Sequence, residues 1–334
     1  MDIVYHDLNR MLEVKEFIQR WDDSLNYVEV NTSGSTGKPR TLQLSKSLLA
    51  KSAERTITHF NLSPGMKAGL CLSLSSIAGK MMVVRSLLAN MELHVLPVNK
   101  NPLKDLEMAL DFNALVPVQA MNYLDQAQPL PQQGVVLIGG APLNERQFQR
   151  ISQYFSQAYQ TYGMTETASH VAVRKISHNF KEPYQALEGV TLSVQEDCLV
   201  IHCEAFENGF VQTNDCVQLV GEEAFHLLGR RDFVINSGGI KIHPERVEDR
   251  LSTLLNEPCL AMPITDEVWG ESVGIVLLKT GKIPTLAELK KLYTSNEMPR
   301  KFALVDKMIT TKTGKIDRPK MYQTLKKHEW QALL

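Results

Sequence analysis

The hydrophobic pattern of the chain switches between two periods. "YVEVN" at 27–31 is apolar at every second position, as a half-buried strand requires, and it runs into "TSGSTGKPR" at 32–40. A helix is predicted after that loop. In "LSKSLLAKSAERTITHFNLSPG", Leu49, Ala53, Ile57 and Phe60 recur at near-helical spacing behind Ser45, a hydroxyl suited to an N-cap, and Pro64-Gly65 ends the pattern. "AGLCLSLSSIAG" then reads as a buried strand with its exit turn, "MMVVRSLLAN" as a helix and "ELHVLPV" as a strand. This βαβ order predicts a parallel sheet.

The same grammar returns in "GVVLIGGAPL", a strand ending in paired glycines. Asn144 and Gln147 follow with the spacing of a capping box, opening a helix that carries Phe148, Ile151 and Phe155. "AYQTYGMTET" begins the next strand and loop. From about 187 to 228 the strands shorten and alternate, with turns at Glu207-Asn208-Gly209 and Gly221, which predicts antiparallel hairpins and a β-rich subdomain. "GRRDFVINSGG" is charged and then glycine-rich, placing a domain boundary at 229–233. Beyond it Pro244 opens a helix with Val247, Leu251 and Leu254 on one face. "SVGIVLLK", "TLAELKKLY", "KFALVDKM" and a terminal helix complete a small α+β domain. The expected fold is therefore α/β, with a large domain over 1–229 and a smaller one over 230–334.

Composition narrows the function classes. The 334 residues are 43% hydrophobic and 22% charged with a formal net charge of -1, so neither disorder nor a polyanion-binding surface is indicated. Nucleic acid is not an expected partner. Five cysteines, odd in number and never spaced C-x-x-C, disfavour a disulfide framework and a zinc site and suit a reducing compartment. No apolar run approaches the ~20 residues of a membrane span, and a cytoplasmic protein is expected.

Ser, Thr and Gly clustered beyond a strand let backbone N–H groups and hydroxyls converge into a nest for phosphate oxygens, with Lys38 and Arg40 adding positive charge. The loop is not G-x-x-x-x-G-K-[ST], because Thr32 and Pro39 stand where that pattern needs Gly and Ser or Thr. A plain surface turn is the competing reading.

The loop has company. "TSGSTGKPR" resembles the phosphate-binding signature of the adenylate-forming superfamily, which comprises acyl-CoA synthetases, peptide-synthetase adenylation domains and luciferases, and further segments match that family in its own order. The resemblance makes Thr32, Ser33, Gly34, Ser35, Thr36, Gly37 and Lys38 the phosphate cradle. "GGAPL" resembles the adenine-side loop, with Gly139, Gly140 and Ala141 at the purine. "YGMTET" resembles the central motif: Tyr162 and Gly163 flank adenine, Thr165 meets the α-phosphate and Glu166 holds Mg²⁺. "TND" stands where the family has Thr-Gly-Asp, so Asp215 takes the ribose hydroxyls and Asn214 is a departure. "GRRDFVINSGGIKIHPERVE" resembles the hinge signature, giving Arg230 a ribose or phosphate contact and Asp232 the pivot within 230–233. "TKTGKIDR" makes Lys315 the lysine that reaches the active site. ATP, Mg²⁺ and coenzyme A are the implied cofactors, with Ser237 to Lys241 facing CoA after rotation of the C-terminal domain.

"MTETASHVAVRKI" resembles the o-succinylbenzoate-CoA ligases of menaquinone synthesis more than fatty acyl or acetyl synthetases, because Ala-Ser follows the central motif and a basic residue comes soon after. Such an acid carries a second carboxylate and an aryl ketone, so its pocket needs a cation or several donors beside apolar walls. Ser76, Lys80, Ser169 and His170 are the candidates, with Arg85 and Arg174 also in reach; each competes with an ordinary structural role. Two departures stand out. Ser76 replaces an aromatic or His at the acyl gate, and only about 30 residues precede the Ser/Thr/Gly loop, which implies a trimmed first subdomain compensated by a homodimer. A CoA ligase for another aromatic or short dicarboxylic acid, and an adenylation module that does not use CoA, are the alternatives.

Overall fold

The computed structural model describes residues 1–32, 40–126, 131–310, 316–325 and 330–333. The amino end forms strand β1 (Ile3–Tyr5) and helix α1 (Met11–Asp22), followed by β2 (Tyr27–Thr32), β3 (Arg40–Ser45) and α2 (Lys46–Phe60). Ser45 caps α2 as expected, accepting from the Leu48 N–H at 3.1 Å. The expectation that a helix follows the loop directly is corrected by β3. "RTLQLS" alternates like "YVEVNT", and the two pair antiparallel from Tyr27↔Ser45 to Thr32↔Arg40 with Val28, Val30 and Leu44 buried. Residues 33–39 connect this hairpin and lie outside the described residues.

β4 (Lys67–Leu70), α3 (Ile77–Leu88), β5 (Glu92–Val95), β6 (Phe112–Leu115), α4 (Pro117–Leu124), β7 (Val135–Ile138), α5 (Glu145–Tyr154) and β8 (Ala158–Gly163) follow. The strands stack in the parallel order β1-β5-β4-β6-β7-β8. Strand periodicity explains how both faces become cores: Val135 and Leu137 join the cluster under α1, α2 and α3, whereas Val136 and Ile138 join the one under α4 and α5. Each large side chain so buried contributes roughly 1.5–3 kcal/mol.

The sheet then changes sense. β9 (His170–Lys175), β10 (Tyr184–Ala186), β11 (Thr191–Gln195), β12 (Cys198–His202), β13 (Phe210–Leu219) and β14 (Ala224–Arg230) extend it antiparallel in the order β9-β10-β14-β13-β12-β11, so twelve strands share one hydrogen-bonded sheet. Gly209 and Gly221 turn the hairpins with φ of 73° and 72°. Between Arg230 and Ile235 the chain passes to a second, six-stranded sheet built from β15 (Ile235–Ser237), β16 (Ile240–Ile242), β17 (Leu260–Asp266), β18 (Gly270–Leu278), β19 (Lys301–Val305) and β20 (Gln331–Ala332). Helices α6 (Pro244–Leu255), α7 (Leu286–Leu292) and α8 (Arg318–Leu325) accompany it. Val247 and Leu251 are buried on α6 as expected, but Leu254 is exposed. Among the described residues no helix is long and apolar enough to cross a membrane.

The strand order reverses at β4, with β5 on one side and β6 on the other, and a ligand crevice forms at the carboxyl ends of strands where such a reversal occurs. Arg10 closes one corner of that edge. Its buried guanidinium donates to the carbonyls of Leu70 (2.7 Å), Leu96 (2.6 Å) and Leu72 (2.9 Å) and pairs with Glu13 at 2.6 Å. Arg10→Met strips three buried acceptors of their donor, and a loss of about 3 kcal/mol in urea unfolding is expected; a change within the scatter of ordinary surface substitutions would show that water replaces the guanidinium.

Candidate active site

The candidate residues lie on chain that leaves the strand ends. β7 runs into Gly139-Gly140, and the structure gives Gly139 a reason other than an approaching purine: an added Cβ would lie 2.4 Å from the Thr161 Oγ1 on neighbouring β8. Gly140 turns away with a left-handed φ of 84°, and Ala141 follows. Asn144 and Gln147 then close the expected capping box on α5, at 2.9 Å and 3.2 Å.

β8 and β9 are joined by the tight 164–169 loop. An added Cβ on Gly163 would meet the Ser169 carbonyl at 2.2 Å and the His170 Cα at 2.5 Å, so glycine is required for the two strands to close. Thr167, fully buried, braces the loop: its hydroxyl accepts from the Met164 N–H at 3.0 Å and donates to the Ser169 carbonyl at 2.6 Å. The brace leaves Thr165 half-buried and Glu166 exposed, and no ion pair holds Glu166 among the described residues.

Four expected residues from distant segments meet in one chain of contacts. The Tyr162 hydroxyl donates to Asp215 at 2.6 Å, and burial, then the charge of Asp215, pushes its pKa up. Asp215 faces Arg230 across the β13–β14 ladder, with Oδ1 3.6 Å from the guanidinium. Arg230 in turn holds Asp232 at 2.7 Å, and Asn214, where the family pattern has Gly, donates to Asp232 at 3.4 Å. Antiparallel register thus converts the separation of 162, 215 and 230 into contact. Lys315 lies outside the described residues, as do 33–38, and the side chain of Thr32 is likewise undescribed; Thr310 and Ile316, which bracket 311–315, pair as an antiparallel bridge.

The acyl-side candidates separate into two groups. Ser169 accepts from Arg85 at 2.6 Å and contacts the His170 Nδ1 at 3.3 Å, while the His170 Nε2 contacts Thr56 at 3.3 Å. Arg85 is 2% exposed, its Nε has no partner, and no carboxylate pairs with it among the described residues; burial pushes its pKa down to about 9. His170 is held well below the usual imidazole range by burial and then by Arg85. Ser76 and Lys80 stand apart. The Ser76 hydroxyl caps α3, accepting from Gly79 and donating to the Ser73 carbonyl, and Lys80 lies over the Phe17 ring at 5.2 Å on α1. Arg174 is caged by Phe148, Phe180 and Tyr184 and donates to Gln160. Thr56 on α2 was missed by sequence reasoning; its helical spacing from the core positions Leu49 and Ala53 is the signal that could have placed it facing inward.

The family model described as AMP-binding enzyme matches residues 25–197. An acyl-CoA synthetase (AMP-forming)/AMP-acid ligase II-like protein from Dyadobacter fermentans is 33% identical over 96% of this chain and 95% of its own, with a TM-score of 0.63. The chain belongs to the AMP-binding enzyme family. Among curated relatives, a 2-succinylbenzoate–CoA ligase of Staphylococcus aureus (strain Newman) is 26% identical over 63% of this chain, and the chain spans about half, 48%, of the length of that relative. The o-succinylbenzoate CoA synthetase of Bacillus subtilis, solved in complex with its acyl-adenylate intermediate, shares the fold with a TM-score of 0.77 at 20% identity, over 92% of this chain and 70% of that one.

A double-mutant cycle of Tyr162→Phe with Asp215→Ala is expected to return a coupling of about 1–3 kcal/mol in urea unfolding, because a phenol donating to a half-buried carboxylate is a charge-assisted bond. Additive effects would mean that the two side chains do not meet in solution.

Proposed function

We propose that this chain is an ATP-dependent acid–thiol ligase that converts an aromatic dicarboxylic acid of the 2-succinylbenzoate kind into its acyl-adenylate and then its coenzyme A thioester. The observation that carries the substrate class is Arg85. A buried guanidinium with a hydroxyl and an imidazole for company, and with no acid paired to it among the described residues, suits an anion. It is joined through Ser169 to the loop that presents Thr165 and Glu166, so an acid anchored on Arg85 by one carboxylate would have its other carboxylate directed to the nucleotide side. The names of the Staphylococcus and Bacillus relatives support the same class.

A carboxylate resists thiols because its carbon is electron-rich and oxide is a poor leaving group; joining it to AMP supplies a stabilised one. In the first half-reaction the acid attacks the α-phosphorus of ATP and pyrophosphate leaves, restrained by Thr32 to Lys38. Glu166, exposed and in no ion pair among the described residues, suits a magnesium ion, which takes hard oxygen ligands and would neutralise phosphate charge; the Bacillus enzyme has been solved with ATP and magnesium. Asp215 would accept the ribose hydroxyls beside Tyr162, with Arg230 adjacent, and Lys315 would stabilise the α-phosphate oxygens. Positioning and charge stabilisation carry the step, with no protein nucleophile. Residues 230–334 would then turn about Asp232, presenting Ser237 to Lys241 to CoA.

The test measures AMP and CoA-thioester formation with 2-succinylbenzoate against a panel of benzoates and short dicarboxylic acids; absence of acid-dependent AMP from every member would overturn the proposal. Arg85→Met is expected to raise KM for the dicarboxylic acid about thirtyfold, about 2 kcal/mol, while monocarboxylic benzoates are unaffected and the free protein melts no lower. Lys315→Ala should abolish adenylation yet spare thioester formation from supplied acyl-adenylate, and equal loss of both half-reactions refutes its role.

A further inference from the structure

A cleft of about 690 Å³ opens between the β11–β12 turn and the second sheet, away from the Arg85 cluster. Two acids guard it. Glu196 and Asp197 form a two-residue turn with φ of 52° and 64°, the left-handed pair that a tight hairpin of this twist needs, and they reach across to Arg231 at 2.7 Å and Lys241 at 2.5 Å. The next residue is Cys198. It opens β12 and stands opposite Cys216 of β13 in the antiparallel register, and the ladder bulges beside each cysteine. Cys216 lines the cleft; Cys198 lies fully buried behind it.

Facing residues on antiparallel strands have Cα atoms about 4.5–5.5 Å apart, inside the roughly 4.4–6.8 Å span of a disulfide. The other three cysteines have no such opposite number. The Cys71 thiol donates to the Ala114 carbonyl at 3.1 Å, Cys203 accepts from Arg55 at 3.0 Å, and Cys259 donates to the Glu248 carbonyl at 3.6 Å.

We propose that Cys198 and Cys216 are a cross-strand dithiol, a modification site that closes to a disulfide by exchange with a small-molecule disulfide admitted through the cleft. The Cys216 thiolate attacks one sulfur of the oxidant RS–SR, the S–S bond breaks, and RS⁻ leaves and takes up a proton. Cys198 then loses its proton and attacks the Cys216 sulfur, expelling the second RS⁻. Two protein thiols are oxidised and one small disulfide is reduced to two thiols. Burial, and then Cys198 itself, pushes the Cys216 thiol up to about 11, so exchange is slow at neutral pH and accelerates about tenfold per pH unit toward that value. Closure would tie β12 to β13 beside the turn whose acids hold Arg231 and Lys241.

The test is independent of ligase activity. The full chain is incubated with oxidised glutathione at mildly alkaline pH, alkylated, and mapped by mass spectrometry without reduction. Expected are one dithiothreitol-reversible peptide joining 198 to 216, loss of two of the five thiols, and a rate that rises with pH. In Cys198→Ser, which lacks the resolving thiol, a glutathione adduct should persist on Cys216; in Cys216→Ser, Cys198 should stay unmodified. Thermal melting of each variant establishes that it is folded, and the wild-type map stands without them. Stable glutathionylation of the wild type without closure, faster reaction at Cys71, Cys203 or Cys259, or disulfides between chains would each overturn the proposal.

Discussion

The site rests on a chain reversal that has no room for a side chain. At Gly163 the β8 backbone presses on Ser169 and His170 so closely that a methyl group would overlap the Ser169 carbonyl. That contact turns a parallel sheet antiparallel, and everything downstream inherits its position from the turn. Tyr162, just before the contact, points along the sheet to Asp215, whereas Ser169 and His170, just after it, point to Arg85 and Thr56. Thr167 fastens the loop between them. One steric constraint therefore separates the Tyr162–Asp215 group from the Ser169–Arg85–His170 group by a single short loop.

Two buried arginines and one partly buried show how environment decides what one residue type does. Arg10 gives its donors to three strand-end carbonyls and a carboxylate, so its charge is spent on architecture. Arg174 spreads its guanidinium over three aromatic rings and donates to a carbonyl and an amide. Arg85, like Arg174, leaves its Nε without a partner, but it stacks on no ring and pairs with no carboxylate among the described residues. Fold stability accounts for the first two and offers no account of the third.

Local signals in the chain were legible because their physics is local. Ser45 caps a helix through its own hydroxyl, Asn144 and Gln147 close a box three residues apart, and Pro244 needs no N–H where α6 begins. β3 was not legible as a strand, because "RTLQLS" abuts a loop whose composition drew the eye and its alternation is decided by pairing with β2. Gly139 shows a different failure: its glycine was visible, but the reason, Thr161 on the next strand, depends on register. Lys80 and Arg85 were both legible as candidate cations, but their surroundings were not, for a related reason. Sequence displays the charges that are present and cannot display which of them goes unpaired, and among the described residues no carboxylate pairs with Arg85.

An uncompensated buried cation costs free energy in the empty protein, and that cost is recovered when an anion arrives. Binding energy so obtained comes from a part of the ligand that does not react, and energy of that kind can be used to hold the reacting end in place. On the proposed reading, the Arg85–Ser169 bond connects the anchored end of the acid to the same loop that carries Thr165 and Glu166. An acid lacking the second carboxylate would leave Arg85 unsatisfied and would bind without that anchor. Discrimination on that reading comes from a contact that only the dicarboxylic acid can make, the monocarboxylic acid leaving Arg85 as it is in the free protein.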